Sequence, residues 1–311
     1  MFIKKDLRIF VLLFVILLLT FVVDIFSGNA DISVKEGFAA LFGGSGDEII
    51  DEIIVNYRFP KAVTAIFAGS SLAIAGLLMQ TLFRNPLAGP DVLGVSAGAS
   101  LGVALLTLLS GTVVYPFIQS LGGMAQVIAA ISGAALVLII VLAVSARIKD
   151  SVTILVLGMI FGYVANAIIT ILQSFADPDS LKVFVSWTFG SLGAVTWDKM
   201  PLMAVLVIVG IITSFLLQKP LNSLLLGENY ASSVGMNVKS IRVIIISVTA
   251  IITGAVTAFT GPIAFIGVVI PHFARAFFGT VDHKIIIPGS ILTGAILMLV
   301  CDIVSQTSIR I

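Results

Sequence analysis

Charge is scarce in this chain of 311 residues: Asp, Glu, Lys and Arg together make up 11% of it, against about 25% in soluble globular domains. None of the four occurs between Val92 and Ala146. So little polar surface cannot cover a water-facing globule, which excludes an ordinary soluble domain and makes lipid the natural solvent. Cysteine is reduced to Cys301, inside an apolar run, so an intrachain disulfide is excluded and the redox compartment cannot be read. The two histidines, His272 and His283, have no Cys or second His at ligand spacing, and no metal site is expected. There is no HExxH, no Ser/His/Asp arrangement and no GxxxxGK(S/T) phosphate loop. With those absences go catalysis, a resident cofactor and a power source of the chain's own. A net charge of +1 argues against a nucleic-acid partner.

What is present is apolar length. Segments long enough to cross a bilayer, bounded by charges or by Gly and Pro, are 7–26, 61–83, 92–111, 121–146, 151–174, 200–218, 243–260, 263–278 and 285–306. Backbone groups in lipid must pair within their own segment, so each is expected to be helical, and the fold class is an all-α, polytopic membrane bundle in one domain over 1–311. A transmembrane barrel would instead show alternating segments of ~10 residues. The first run follows Lys4, Lys5 and Arg8 like a signal peptide, but its length and the lack of a small-x-small cleavage site before Ser27 favour a retained span.

Nine spans with a cytoplasmic N-terminus put eleven Lys and Arg on one side and six on the other, which supports that orientation. Two longer loops result. Residues 27–60 lie outside, and residues 219–242, "KPLNSLLLGENYASSVGMNVKSIR", lie inside. The inner loop has apolar residues at Leu221, Leu224, Leu225, Val234, Met236 and Val238, broken by Gly227 and Gly235. It reads as two short amphipathic helices, serving as an interfacial element or as a docking surface.

Small residues and breaks recur. Gly94, Gly98 and Gly102 form GxxxGxxxG on one face, and Gly69 with Gly76 and Gly158 with Gly162 repeat the device; such spacing lets helix backbones pack closely in lipid. Pro86 and Pro90 cannot continue a helix, while Asn85 and Asp91 suit a turn, so 84–91 is an ordered turn. "TGPIAFIGVVIPHFAR" (260–275) is a second break, in the other half. Paired breaks point to an internal repeat with a transport path between the halves. The ionisable groups inside spans, Asp24, His272, Arg275 and Asp302, all fall near ends, which argues against proton coupling. If transport is active, its energy comes from a separate subunit; an ATP-independent channel or secondary transporter is the alternative.

At these residues the sequence resembles a known family. "FRNPLAGPDVLGVSAGA" and "GPIAFIGVVIPHFAR" are similar to the two signature stretches of the iron-chelate uptake (FecCD-type) permeases of ABC importers, the family of the vitamin B12 importer permease. The similarity extends over 57–80 and 221–238. It implies uptake of an iron-siderophore, haem or cobalamin-type chelate through a ten-span fold in the bacterial inner membrane. The implied partners are a second permease copy, cytoplasmic ABC ATPase subunits and an external solute-binding protein. By the resemblance, Leu221, Leu225, Gly227, Glu228, Ala231 and Gly235 couple to the ATPase. Arg58 and Lys61, with Arg310, dock the binding protein, and Asn85, Pro86, Pro90 and Ser151 belong to the cytoplasmic turn and gate. Two departures stand out: Gln306 occupies a place where relatives commonly carry Arg, and the family's tenth span is not found before Ile311.

Overall fold

The structure, a computed structural model, describes residues 4–28, 30, 32–109, 124–145, 148 and 151–308, with backbone alone for 151, 307 and 308. Every regular element among them is helical. The first half of the chain forms α1 (Lys4–Phe26), α2 (Val34–Phe42), α3 (Glu48–Glu52), α4 (Phe59–Leu82), α5 (Val95–Leu108), α6 (Met124–Ser145) and α7 (Ser151–Phe175). The second half adds α8 (Pro178–Thr188), α9 (Met200–Leu216), α10 (Gln218–Leu225), α11 (Glu228–Ser233), α12 (Val238–Thr260), α13 (Ile266–Phe278) and α14 (His283–Ser308). Arg310, and the parts of the predicted spans at 110–111, 121–123 and 146, lie outside the described residues.

Each of the nine apolar segments carries a helix, but not each helix is a full span. Six are long and apolar enough to cross, including a continuous Glu48–Leu82, and α9 with α10 makes a seventh if counted as one unit bent by 57°. α5 and α13 have 14 and 13 residues, about 21 and 20 Å at 1.5 Å per residue, against ~30 Å of hydrocarbon. The reason is local. Pro86 and Pro90 hold the chain out of helix before α5, apart from a short 3-10 turn at Pro90–Leu93, and Gly261-Pro262 leaves 261–264 without regular structure before α13.

α4 is the hub. Every residue from Ala68 to Phe83 is buried, because α9, α12, α13 and α14 all pack on it. Small residues make that possible. A Cβ at Gly69 would collide with the carbonyl of Gly294 on α14, and one at Gly76 with the carbonyl of Gly267 on α13. A second group, α5 with α6 and α7, is built the same way. The backbone of Gly133 and Ala129 on α6 crosses Gly98 and Gly102, and a Cβ at Gly94 would stand 2.7 Å from the carbonyl of Gly158 on α7. α12 touches both groups and joins them.

Gly76→Ala puts a methyl group into backbone that has no flexible neighbour to displace, so it should destabilise the fold by about 1–3 kcal/mol. Gly43, with nothing within 4 Å of its would-be Cβ, is the control. Thermal unfolding in detergent should show a clear drop in Tm for Gly76→Ala and little change for Gly43→Ala.

Candidate functional site

The two broken stretches meet beside the middle of α4. A Cβ at Gly267 would lie 2.6 Å from Pro90 Cδ and 2.8 Å from the Leu72 carbonyl, and one at Gly89 would lie 2.9 Å from Val268. Pro271, inside α13, lacks the N–H that would bond the Gly267 carbonyl, so the first turn of α13 depends on partners from outside it. Gln80 of α4 supplies one: its amide donates to the Val268 carbonyl at 3.0 Å, while its own oxygen accepts from Arg275. His272 Nε2 donates to the Pro86 carbonyl at 3.0 Å. The two non-glycine residues with left-handed φ among the described ones, Arg84 and Phe265, sit one in each stretch. Strained backbone of this kind persists where its surroundings over-determine it.

Beside this joint runs a groove of about 470 Å3, lined by Asp91, Ser96 and Ser100 on one wall and Tyr163 and Asn166 of α7 on the other, with Pro262 at its edge. Ser96 donates to Asp91 at 2.8 Å and lies 3.5 Å from Thr257 of α12. Asn85 folds its own turn by accepting from the Leu87 N–H at 2.9 Å. For Ser151 only the backbone is described; it opens α7.

At the end of the bundle where α1 finishes, buried charges are gathered. Lys61 Nζ pairs with Asp302 at 2.9 Å. Gln306 donates to Asp302 at 2.8 Å and to Asp24 at 3.3 Å, so the amide that departs from the family pattern bridges two buried carboxylates on α14 and α1. Arg58 differs most from its expected place. It is 8% exposed, and its guanidinium donates to the carbonyls of Ile25 and Ala30, closing the end of α1, where helix carbonyls lack partners. Lys61 keeps a partly open position over a groove of about 300 Å3 that it shares with Asp302 and Ser305.

At the other end lies the 219–242 loop. α10 buries Leu221 and Leu224 against the bundle and is pinned by a polar node. Asn222 Oδ1 accepts from the backbone N–H of His283 at 3.0 Å and from its Nδ1 at 2.7 Å, while the Asn222 amide donates to Asp282 at 2.7 Å. His283 Nε2 reaches Thr81 Oγ1 at 2.9 Å, at the end of α4. A buried imidazole held at both nitrogens therefore ties α10 to α14 and α4 at once. Gly227 follows with φ +110°, a backbone conformation that a side chain would strain. α11 then buries Ala231 and anchors Glu228 to Arg242 at 2.7 Å. Of the residues expected to couple, Leu221, Gly227 and Ala231 are buried, Leu225 and Glu228 half-buried, and Gly235 exposed with φ +85°. The apolar side chains presented outward are Leu226 (64% exposed), Tyr230 (47%) and Val234 (57%), spaced four apart. That spacing was readable in the sequence, but which of the loop's two apolar sets faces the bundle was not.

A multi-pass helical bundle with paired broken segments, a bent helical loop at one end and buried charge confined to the ends is the architecture of a transport permease. The chain belongs to the FecCD transport family, whose model matches residues 16–310. It is 32% identical over 294 residues to the hemin transport system permease protein HmuU of Yersinia pestis, covering 93% of this chain and 86% of that one. It is 34% identical over 252 residues to the vitamin B12 import system permease protein BtuC of Salmonella paratyphi A, covering 81% and 74%. A solved metal-chelate type ABC transporter in an inward-facing conformation superposes with TM-score 0.84 at 26% identity, covering 97% of this chain and 91% of that one. The chain is thus an ABC importer permease, a transport subunit and not an enzyme, and ATP hydrolysis belongs to a separate subunit.

Asn222→Ala leaves the backbone and Nδ1 donors of buried His283 without their acceptor, at a cost of about 1–3 kcal/mol for each buried group left unpaired. Melting in detergent should register that loss, and Asn222→Asp should not repair it, because a carboxylate at 222 faces that of Asp282. The Asp282 carboxyl is held below its ordinary range, first by the Asn222 amide and then by the Lys284 N–H. A depressed pKa stabilises the fold above the unfolded value and is lost as pH falls through the folded one. The Asp282 contribution to the node should therefore fade only in strong acid, below the ordinary Asp value of about 3.9.

Proposed function

We propose that this permease carries a bulky metal chelate or related macrocycle, of the siderophore, haem or cobalamin kind, across the bacterial inner membrane as one of two copies around a shared path. Relatives that import hemin and vitamin B12 support the substrate class. The groove beside Asp91, Ser96, Tyr163 and Asn166 supports the path: it is lined by small and polar groups that let a large solute slide without holding it tightly. The N-terminus is cytoplasmic in this reading, and all nine apolar segments traverse the bilayer, α5 and α13 with their non-helical leads completing the crossing.

The ATPase subunits dock on residues 219–242. The observation that carries this is the double face of the loop: Leu221, Leu224 and Ala231 turn inward, while Leu226, Tyr230 and Val234 stand in solvent with nothing of this chain covering them. A soluble loop with a persistent outward apolar stripe of this kind fits a partner's groove. At the opposite end the solute-binding protein is received near Lys61, with Arg310 as a further docking cation, while Arg58 holds the corner between α1 and α4. Charge pairing there would guide encounter and orientation more than it adds affinity.

Tyr230→Ala and Leu226→Ala should each weaken capture of the ATPase subunits by about 2 kcal/mol, roughly 30-fold, as expected of a central apolar anchor. Quantitative co-purification reads this directly. Undiminished capture in both variants overturns the docking assignment, and solute uptake by the permease alone in liposomes overturns the dependence on ATP.

A further inference from the structure

We propose that Arg242 is a positioning residue that carries movement of the 219–242 loop to the turn ahead of α7, and so to the groove. The proposal rests on the reading of that loop as the ATPase contact and extends it inward. Arg242, on the first turns of α12, is 6% exposed. On one side its NH2 pairs with Glu228, the first residue of α11, at 2.7 Å. On the other its NH1 donates to the carbonyl of Ile148 at 3.3 Å. Ile148 lies in the turn between α6 and α7, three positions before α7 begins at Ser151. One planar group with donors in fixed directions therefore touches the loop and Ile148 together.

Three further observations give this contact a direction. The two arms of the loop are tied to different helices. α10 is held through Asn222 and His283 to α14 and α4, whereas α11 is held through Glu228 to Arg242. Gly227, at φ +110°, breaks the helix between the two arms. The third observation is Arg242 Nε, which is buried without a partner. A buried donor left unpaired calls for an explanation, and a guanidinium that re-pairs when Glu228 moves supplies one. Displacement of α11 then reaches the first turn of α7, and α7 is the helix that brings Tyr163 and Asn166 to the groove. Energetic coupling between distant sites travels through contiguous contacts of this type when they connect rigid elements.

The test uses the complete importer, permease pair and ATPase subunits, in lipid nanodiscs. Cys301→Ser removes the native thiol, and Val152→Cys, at an exposed position on the first turn of α7, is labelled with a water-soluble maleimide with and without ATP. The decisive variant is Arg242→Lys, because an ammonium cannot hold both partners in a fixed fork. The expected result is ATPase capture retained and ATP hydrolysis continuing, with loss of the ATP-dependent change in labelling seen in the parent. A retained change overturns the relay while leaving the docking of the loop untouched. Undiminished ATPase capture by Tyr230→Ala and Leu226→Ala overturns both. Arg242→Gln, which removes the charge facing Glu228, gives the answer where Arg242→Lys does not assemble: capture persists and the labelling change is lost, and persistence of that change likewise overturns the relay.

Discussion

Where α4 crosses α13 and α14, hydrogen atoms stand in place of side chains: Gly76 lies against the backbone of Gly267, and Gly69 against that of Gly294. In lipid there is no hydrophobic force to press helices together, so close backbone approach, with the dispersion contacts it allows, is what holds a bundle. Much of the remaining architecture depends on this approach. It brings α13 near enough for Gln80 to bond Val268, and it leaves room for Pro90 to lodge against Gly267.

The same contact explains why two distant signature stretches occur together. Residues 83–99 and 261–275 are not two sites but the two faces of one joint, linked by His272 to the Pro86 carbonyl and by Pro90 to Gly267. Each stretch interrupts its helix, and each interruption supplies the irregular backbone that a solute path requires. Such backbone is tolerated at membrane depth only where protein or a water-filled cavity covers it. Here α4 covers one side, and the groove lined by Asp91 and Asn166 lies along the other.

Among the described residues, the buried charges gather toward the ends of the helices and divide by task. At the Asp24 end, Lys61, Asp302, Gln306 and Arg58 tie α1, α4 and α14 together. At the loop end, Asn222, His283 and Arg242 bind a short, amphipathic loop to three long helices, α4, α12 and α14, and to Ile148. A rigid bundle moved by an external subunit needs such attachments, because a loop held only by apolar burial would slip before it pulled. In the proposed reading, the exposed stripe of Leu226, Tyr230 and Val234 serves the partner and the buried nodes serve transmission.

Composition and the lengths of the apolar runs determined the solvent, the helical class and the positions of the helices, since lipid leaves the backbone no other way to pair. The prolines and glycines at 86–94 and 261–271 likewise marked the breaks, because their chemistry is local. How the breaks fit together was decided in three dimensions: Pro90 lodges against Gly267, and Gln80 of α4 bonds the Val268 carbonyl. The roles of the charges were decided there too. Arg58 read as an outward docking cation and turned out to close α1, and Gln306 read as a gap in a pattern and turned out to bridge Asp24 and Asp302. Neither assignment was available from spacing, because a side chain's partner lies tens to hundreds of residues away in sequence. Only packing brings the two within hydrogen-bond reach.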